Sequence, residues 1–136
     1  MSKDYETKKG CWGFRRLVNA LGYSFAGFRH ALQHEVAIRE ELIALAILVP
    51  VSAVLPVSNL EHLILVLTMM LVLLVEFINS AIESAVDRIS TEHHPLAGQA
   101  KDLASAAVLI AVLMWGLSWL VIVGPLVLTA FRRWFT

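Results

Sequence analysis

Glu76, Asn79, Glu83 and Asp87 close an otherwise apolar run that begins near Leu63. At 100° per residue they fall at about 0°, 300°, 340° and 20°, one narrow stripe of a helix. The other faces of that helix carry Phe77, Ile78, Ile82, Ala85 and Val86. An ionised carboxylate at bilayer depth costs about 3 kcal/mol on insertion scales, so such a row needs partners: other helices, a metal ion or a polar substrate. Oxygen donors of this kind suit a hard cation such as Mg²⁺, which typically takes one or two carboxylates and completes its shell with substrate phosphates. A carboxylate not engaged by metal is a candidate general base toward an alcohol. Glu35 adds a third glutamate to Glu76 and Glu83, and Arg16 and Lys101 are bases that could hold phosphates. Those parts suffice for phosphoryl transfer, which depends mainly on positioning and charge neutralisation. The nucleotide signature G-x-x-x-x-G-K-[ST] is absent. Residue types and spacing therefore reach a polar site at a membrane surface, with metal dependence open.

The elements that must position these groups follow from composition. The 136 residues allow one domain, residues 1–136. With 58% hydrophobic residues and a mean hydropathy of +0.72, the chain is too apolar for an ordinary soluble domain and reads as an integral membrane protein. Eleven basic and eleven acidic residues cancel, but they are clustered along the chain. Cys11 is the only cysteine, which excludes an intrachain disulfide and a thiolate metal site. The polar start, Met1 to Lys9, has no apolar core of the kind a cleaved signal peptide needs.

Phe14, Leu17, Val18, Leu21, Phe25 and Phe28 recur at helical spacing, with Arg15, Arg16 and Asn19 away from that stripe. This predicts a basic amphipathic helix lying in the membrane interface. Residues 29–41 hold the densest charge, including Arg29, Glu35, Arg39 and Glu41, and Glu35 and Arg39 are spaced to pair on one helix. Residues 12–41 are thus expected to form a surface helix and charged segment. Residues 42–60 carry no charge and form a first transmembrane span, which Pro50 and Pro56 kink or end early. Ser58-Asn59 opens a short turn before the second span, 62–88, which ends in the acidic stripe. A loop at 90–99, punctuated by Pro95 and Gly98, leads to a third span at 102–131. The small residues Ala104, Ser105, Ala106 and Ala107 favour close helix packing there.

Seven of the 11 Lys and Arg precede the first span, none separate the first two, two lie before the third and two follow it. The positive-inside rule then puts the N-terminus, the 88–102 loop and the stripe end of the second span in the cytoplasm. The charged segment, the stripe and Lys101-Asp102 share that side.

Glu76-x-x-Asn79-Ser80-Ala81-Ile82-Glu83-x-x-Val86-Asp87, with Ala100-Lys101-Asp102-x-Ala104-Ser105-Ala106-Ala107-Val108, resembles the signature of the prokaryotic diacylglycerol kinase family. The likeness extends upstream through Gly22-Tyr23-Ser24, Gly27 and Glu35-x-x-x-Arg39-x-Glu41, covering residues 13 to about 122. The resemblance implies an all-α membrane protein: an N-terminal interfacial amphipathic helix plus three transmembrane helices, bundled in a homotrimer with sites shared between subunits. It implies transfer of the γ-phosphate of MgATP to the hydroxyl of diacylglycerol, giving phosphatidic acid at the cytoplasmic face of the bacterial inner membrane. No nucleic acid is expected among the partners.

Carried onto matching positions, the resemblance makes Glu76 the general base and Glu35 and Glu83 ligands of the Mg²⁺ that accompanies ATP. Asn79 and Asp87 support that site. Arg16, Tyr23, Glu35, Glu83, Glu92, His93, His94, Lys101 and Asp102 would contact the nucleotide and its metal. Arg16, Ser24, Arg29, Arg39, Glu76, Ser105 and Trp119 would line the lipid site. Asn19 and His93 depart from the common pattern of the family, and Pro95 is similar to relatives that phosphorylate undecaprenol, so an undecaprenol kinase is the alternative substrate reading. A proton- or cation-coupled transporter subunit is the alternative from another class, but a relay needs polar groups across the bilayer, and 63–75 and 103–117 offer almost none. A purely structural reading, with Glu76 and Glu83 gluing helices together, leaves Lys101 and the 29–41 charges unexplained.

Overall fold

The computed structural model describes residues 13–89 and 94–134. They form four helices in chain order: α1 (Phe14–His34), α2 (Val36–Val54), α3 (Asn59–Ile89) and α4 (Pro95–Trp134). Among the described residues all regular secondary structure is helical. By length and composition α3 and α4 are both apolar enough to cross a membrane. The chain divides into two compact units, one ending at Glu35 and one starting at Val36.

In the first unit, Gly13 starts α1 at φ 67°, in the left-handed region that glycine enters without a Cβ clash. Leu17, Leu21, Phe25 and Phe28 of the expected apolar stripe are all exposed on α1, as a face made for a lipid surface would be. The helix ends at His34, and Glu35 is extended (φ −102°, ψ 116°) while its N–H still donates to the Ala31 carbonyl at 2.8 Å. Glu35 and Arg39 therefore do not share a helix. Neither proline nor glycine marks this break, which is why the spacing of charges suggested continuity.

In the second unit, α2 begins at Val36, earlier than the span expected from Leu42, because the charged residues Arg39, Glu40 and Glu41 join the helix. It tolerates Pro50 and stops at Val54, two residues before Pro56, as expected for a helix ended early by proline. Ser58 then caps α3: its Oγ donates to Glu61 Oε2 at 2.7 Å, its N–H donates to the same oxygen at 2.7 Å, and its Oγ accepts from the Glu61 N–H at 3.3 Å. This is a reciprocal capping box. The helix α4 starts at Pro95, not after Asp102, so the expected loop over 90–99 is corrected from Pro95 onward. Proline is favoured in a first helical turn because its missing N–H would have no intrahelical partner. His94 completes that start by accepting the Leu96 N–H on Nδ1 at 3.2 Å.

The core of this unit lies where α3 meets α2 and α4. Ile38 and Leu65 are fully buried, with Met69, Val72, Leu73, Ala104 and Ala111 nearly so. Ala104 and Ala111 lie on the α3-facing side of α4, where small side chains let two backbones approach. Thr68 Oγ1 and Ser118 Oγ share a hydrogen bond of 2.9 Å, and farther along Lys101 reaches Asp87. These pairs fix α3 and α4 as antiparallel neighbours.

Candidate active site

The acidic stripe sits where its sequence neighbours dictate. The α3 helix has 31 residues and at 1.5 Å each is about 46 Å long, against a hydrocarbon core of about 30 Å. Glu61 and His62 mark one end of its apolar stretch, and Glu76 lies 15 positions on, about 22 Å along the axis. On that scale Glu76 falls in the last third of an apolar layer, and Glu83 and Asp87 fall beyond it. Phosphates can reach that end of α3 from water while a lipid's chains stay in the layer.

Within the stripe, Asn79 is 9% exposed and its amide Nδ2 donates to Glu83 Oε1 at 3.1 Å, one turn away. That bond orients the Glu83 carboxylate. The Asn79 Oδ1 is buried with no hydrogen-bond partner, a hard oxygen left to accept from a ligand or an ion. Glu76 is half-buried and close enough to Glu41 for the two carboxylates to interact electrostatically. Asp87 Oδ1 lies 2.5 Å from the Lys101 ammonium, which crosses from α4. Lys101 was expected on the nucleotide; here it is held by the carboxylate at the outer end of the stripe. Asp102 and Ser105 are exposed, and Trp119 is half-buried with its Nε1 unpaired.

Between α3 and α4, beside Asn79, runs an apolar groove of about 300 Å³ lined by Val75, Ile78, Ile82, Leu103, Ala104 and Ala107 among others. Asn79 is its one polar side chain. Such a lining is suited to hydrocarbon and lies next to the stripe.

Arg39 is exposed on α2. Arg16, Tyr23, Ser24, Arg29 and Glu35 belong to the first unit. Tyr23 and both arginines are exposed, and Ser24 returns its hydroxyl to the Ala20 carbonyl at 3.0 Å. Glu92 and His93 lie outside the described residues. His94 Nδ1 is committed to capping α4, which leaves Nε2 as the ring nitrogen open to a ligand. Among the described residues no three His, Cys, Asp or Glu side chains converge as a ready-made cation cluster.

The sequence reading gave no role to Glu41 and Trp115. Glu41 Oε2 and Trp115 Nε1 are both buried without a hydrogen-bond partner. The available signal was Glu41's place as the last charge before an uncharged stretch. A boundary drawn at Leu42 left it outside the span, whereas α2 carries it inward.

The family model for prokaryotic diacylglycerol kinase matches residues 22–123. A diacylglycerol kinase of Escherichia coli is 44% identical over 110 residues, covering 81% of this chain and 90% of the relative. One of Pseudomonas aeruginosa is 43% identical over 111 residues, covering 82% and 90%. One of Helicobacter pylori is 43% identical over 116 residues, covering 85% and 91%.

Proposed function

The chain belongs to the prokaryotic diacylglycerol kinase family, and on that premise we propose that it transfers the γ-phosphate of ATP to the hydroxyl of diacylglycerol, giving phosphatidic acid and ADP. The observation that carries the reading is the succession along α3 of Glu76, the Asn79–Glu83 pair and the Asp87–Lys101 pair, running from its apolar stretch to its polar end. A lipid hydroxyl reaches Glu76 from the layer, and phosphates reach Glu83 and Lys101 from water.

Glu76 takes the proton of the lipid hydroxyl as that oxygen bonds to the γ-phosphorus. The bond from this phosphorus to the β–γ bridging oxygen breaks, and ADP leaves with the electron pair. Glu83, oriented by Asn79, and Glu35 would hold Mg²⁺. Bound there, the ion would neutralise charge on the β- and γ-phosphates. Lys101 exchanges Asp87 for a phosphate oxygen, Asp102 and His94 lie beside it on the same stretch of chain, and Arg16 and Tyr23 add nucleotide contacts. Glu92 and His93 are nucleotide contacts by resemblance alone. Ser24, Arg29, Arg39, Ser105 and Trp119 line the path of the lipid.

The working form is a homotrimer in the inner membrane, each chain crossing three times with α2 as the additional span, and with the stripe facing the cytoplasm. Basic residues concentrated before α2 support that orientation. The stripe of one chain has too few helices of its own around it, which favours sites completed by a neighbour. Purified protein incubated with labelled ATP, Mg²⁺ and a panel of diacylglycerol, monoacylglycerol and undecaprenol tests the reading. Label is expected in phosphatidic acid foremost; label confined to undecaprenyl phosphate would move the substrate, and no labelled lipid would end the reading.

A further inference from the structure

His30 and His34 stand one turn apart near the end of α1, with ring centroids 4.3 Å apart and ring planes inclined by 22°. Both are exposed. At 100° per residue counted from Leu17, they fall at about 220° and 260°, whereas Leu17, Leu21, Phe25, Phe28 and Leu32 span about 0–80°. The pair thus sits on the face of α1 opposite its apolar stripe, the side left to water when that stripe lies on lipid. The turn before His30 carries Ala26 and Gly27, and a Cβ added at Gly27 would meet nothing within 4 Å, which leaves an open approach to the rings.

The hydrogen bonding of His34 fixes what its ring can offer. Its Nδ1 lies 3.0 Å from the His30 carbonyl oxygen. A carbonyl only accepts, so Nδ1 carries the proton and donates, and in the neutral ring the free lone pair is on Nε2. A ring N–H given to a backbone carbonyl is also what sets the tautomer and orientation of metal-ligating histidines. His30 brings a second imidazole to the same face, because residues four apart lie one above the other on a helix. Imidazole nitrogen suits Zn²⁺, Ni²⁺ and Cu²⁺, whereas Mg²⁺ and Ca²⁺ take oxygen. Metal–nitrogen bonds of about 2.0–2.1 Å require the two nitrogens to converge on one point, so the stacked rings must tilt toward each other. Two exposed side chains can do so by rotation about their own bonds. We propose that His30 and His34 form a two-histidine clip for a divalent transition-metal ion, with water in its other coordination positions. No third His, Cys, Asp or Glu joins them among the described residues, so the clip binds more weakly than a four-ligand zinc site. Bridging residues 30 and 34, the ion ties the last turn of α1 directly before the chain becomes extended at Glu35. The clip stands on α1 alone and does not depend on the lipid kinase reading.

The test uses the full chain without a polyhistidine tag, in detergent micelles near neutral pH. Titrated calorimetrically with Zn²⁺ or Ni²⁺, the parent is expected to bind an ion that excess Mg²⁺ does not displace. His30→Gln and His34→Gln, each an exposed substitution, should weaken that binding about tenfold or more. The remaining histidines are His62, His93 and His94. Binding that survives unchanged when both His30 and His34 are replaced by Gln assigns the metal elsewhere and overturns the clip. A second readout needs no variant. Substoichiometric Cu²⁺ should broaden the ring-proton resonances of His30 and His34 before those of the other histidines, and Zn²⁺ should slow amide exchange in the last turn of α1. Broadening that begins at another histidine, or exchange in that turn unmoved by saturating Zn²⁺, contradicts the proposal. Failure of the parent to phosphorylate any lipid would bear on the kinase reading and leave these readouts as they are.

Discussion

The Lys101 ammonium lies 2.5 Å from the Asp87 carboxylate, joining the first turns of α4 to the last turns of α3. The two side chains are 38% and 65% exposed, so water screens the pair and its worth to folding is about 0–1 kcal/mol. In the proposed site its role would be to keep the ammonium near the stripe until a phosphate takes the place of Asp87.

Two variants separate those roles. Asp87→Asn should lower the unfolding free energy by no more than about 1 kcal/mol. Lys101→Met should cost no more than that in stability, yet raise KM for ATP more than tenfold, because a phosphate then loses its ammonium partner. Chemical unfolding in detergent micelles and steady-state kinetics at varied ATP check both. Equal stability losses with ATP affinity untouched would make the pair a helix clamp only.

Glu83→Gln should weaken nucleotide binding in a way that depends on Mg²⁺, since an amide oxygen is a poorer ligand for a hard cation than a carboxylate. Glu35→Gln should behave alike. Raising Mg²⁺ should partly restore both variants, measured as KM for ATP across a metal titration. A defect that is flat in Mg²⁺ contradicts the ligand role. Asn79→Ala adds a control: it removes the amide that orients Glu83 at 3.1 Å and should show a milder version of the same metal dependence.

The Ser58–Glu61 capping box gives a prediction in pH. The Ser58 hydroxyl, and then its backbone N–H, hold the Glu61 carboxyl below the ordinary glutamate value. A depressed folded-state value contributes stability above the unfolded value of about 4.3 that is lost as pH falls through the folded one. Ser58→Ala should therefore lower the unfolding temperature at pH 7. The gap from the parent should narrow below about pH 4, leaving only the part due to the Ser58 Oγ accepting the Glu61 N–H. A gap constant from pH 7 to pH 3 would show that the carboxylate contributes nothing.

Much of this was legible in the sequence. Periodicity and hydropathy found α3, the stripe and its acidic register, and a membrane protein of helices, because those signals are written in every turn. The resemblance carried by the residues around Asn79 and Lys101 pointed to the family that the comparisons then bore out. Helix boundaries were less legible. The break at Glu35 has no proline or glycine to announce it, and α4 gains seven residues over its expected start because Pro95 opens a helix as readily as it ends one. The shared surroundings of Glu41 and Trp115 could not be read at all. The two residues are 74 positions apart, and only the packing of α2, α3 and α4 brings them to one hollow.

The shared-site trimer is tested by mixing chains. Assayed at ATP far below the KM of Lys101→Met, that variant and Glu76→Gln are each expected to be nearly inactive alone. Co-assembled from the unfolded state, they should recover activity in proportion to the statistical share of sites that draw Glu76 and Lys101 from intact copies. No recovery, with cross-linking showing that mixed oligomers formed, would mean that each site takes both residues from one chain.

The central claim is that Glu76, near the polar end of the apolar stretch of α3, removes the proton from a lipid hydroxyl. The most direct measurement is single-turnover phosphoryl transfer to diacylglycerol by Glu76→Gln, alongside its ATP affinity. The amide cannot accept the proton, so the rate is predicted to fall about 10²–10⁴-fold with ATP binding and assembly preserved. A variant that transfers phosphate at near the parent rate would contradict the account.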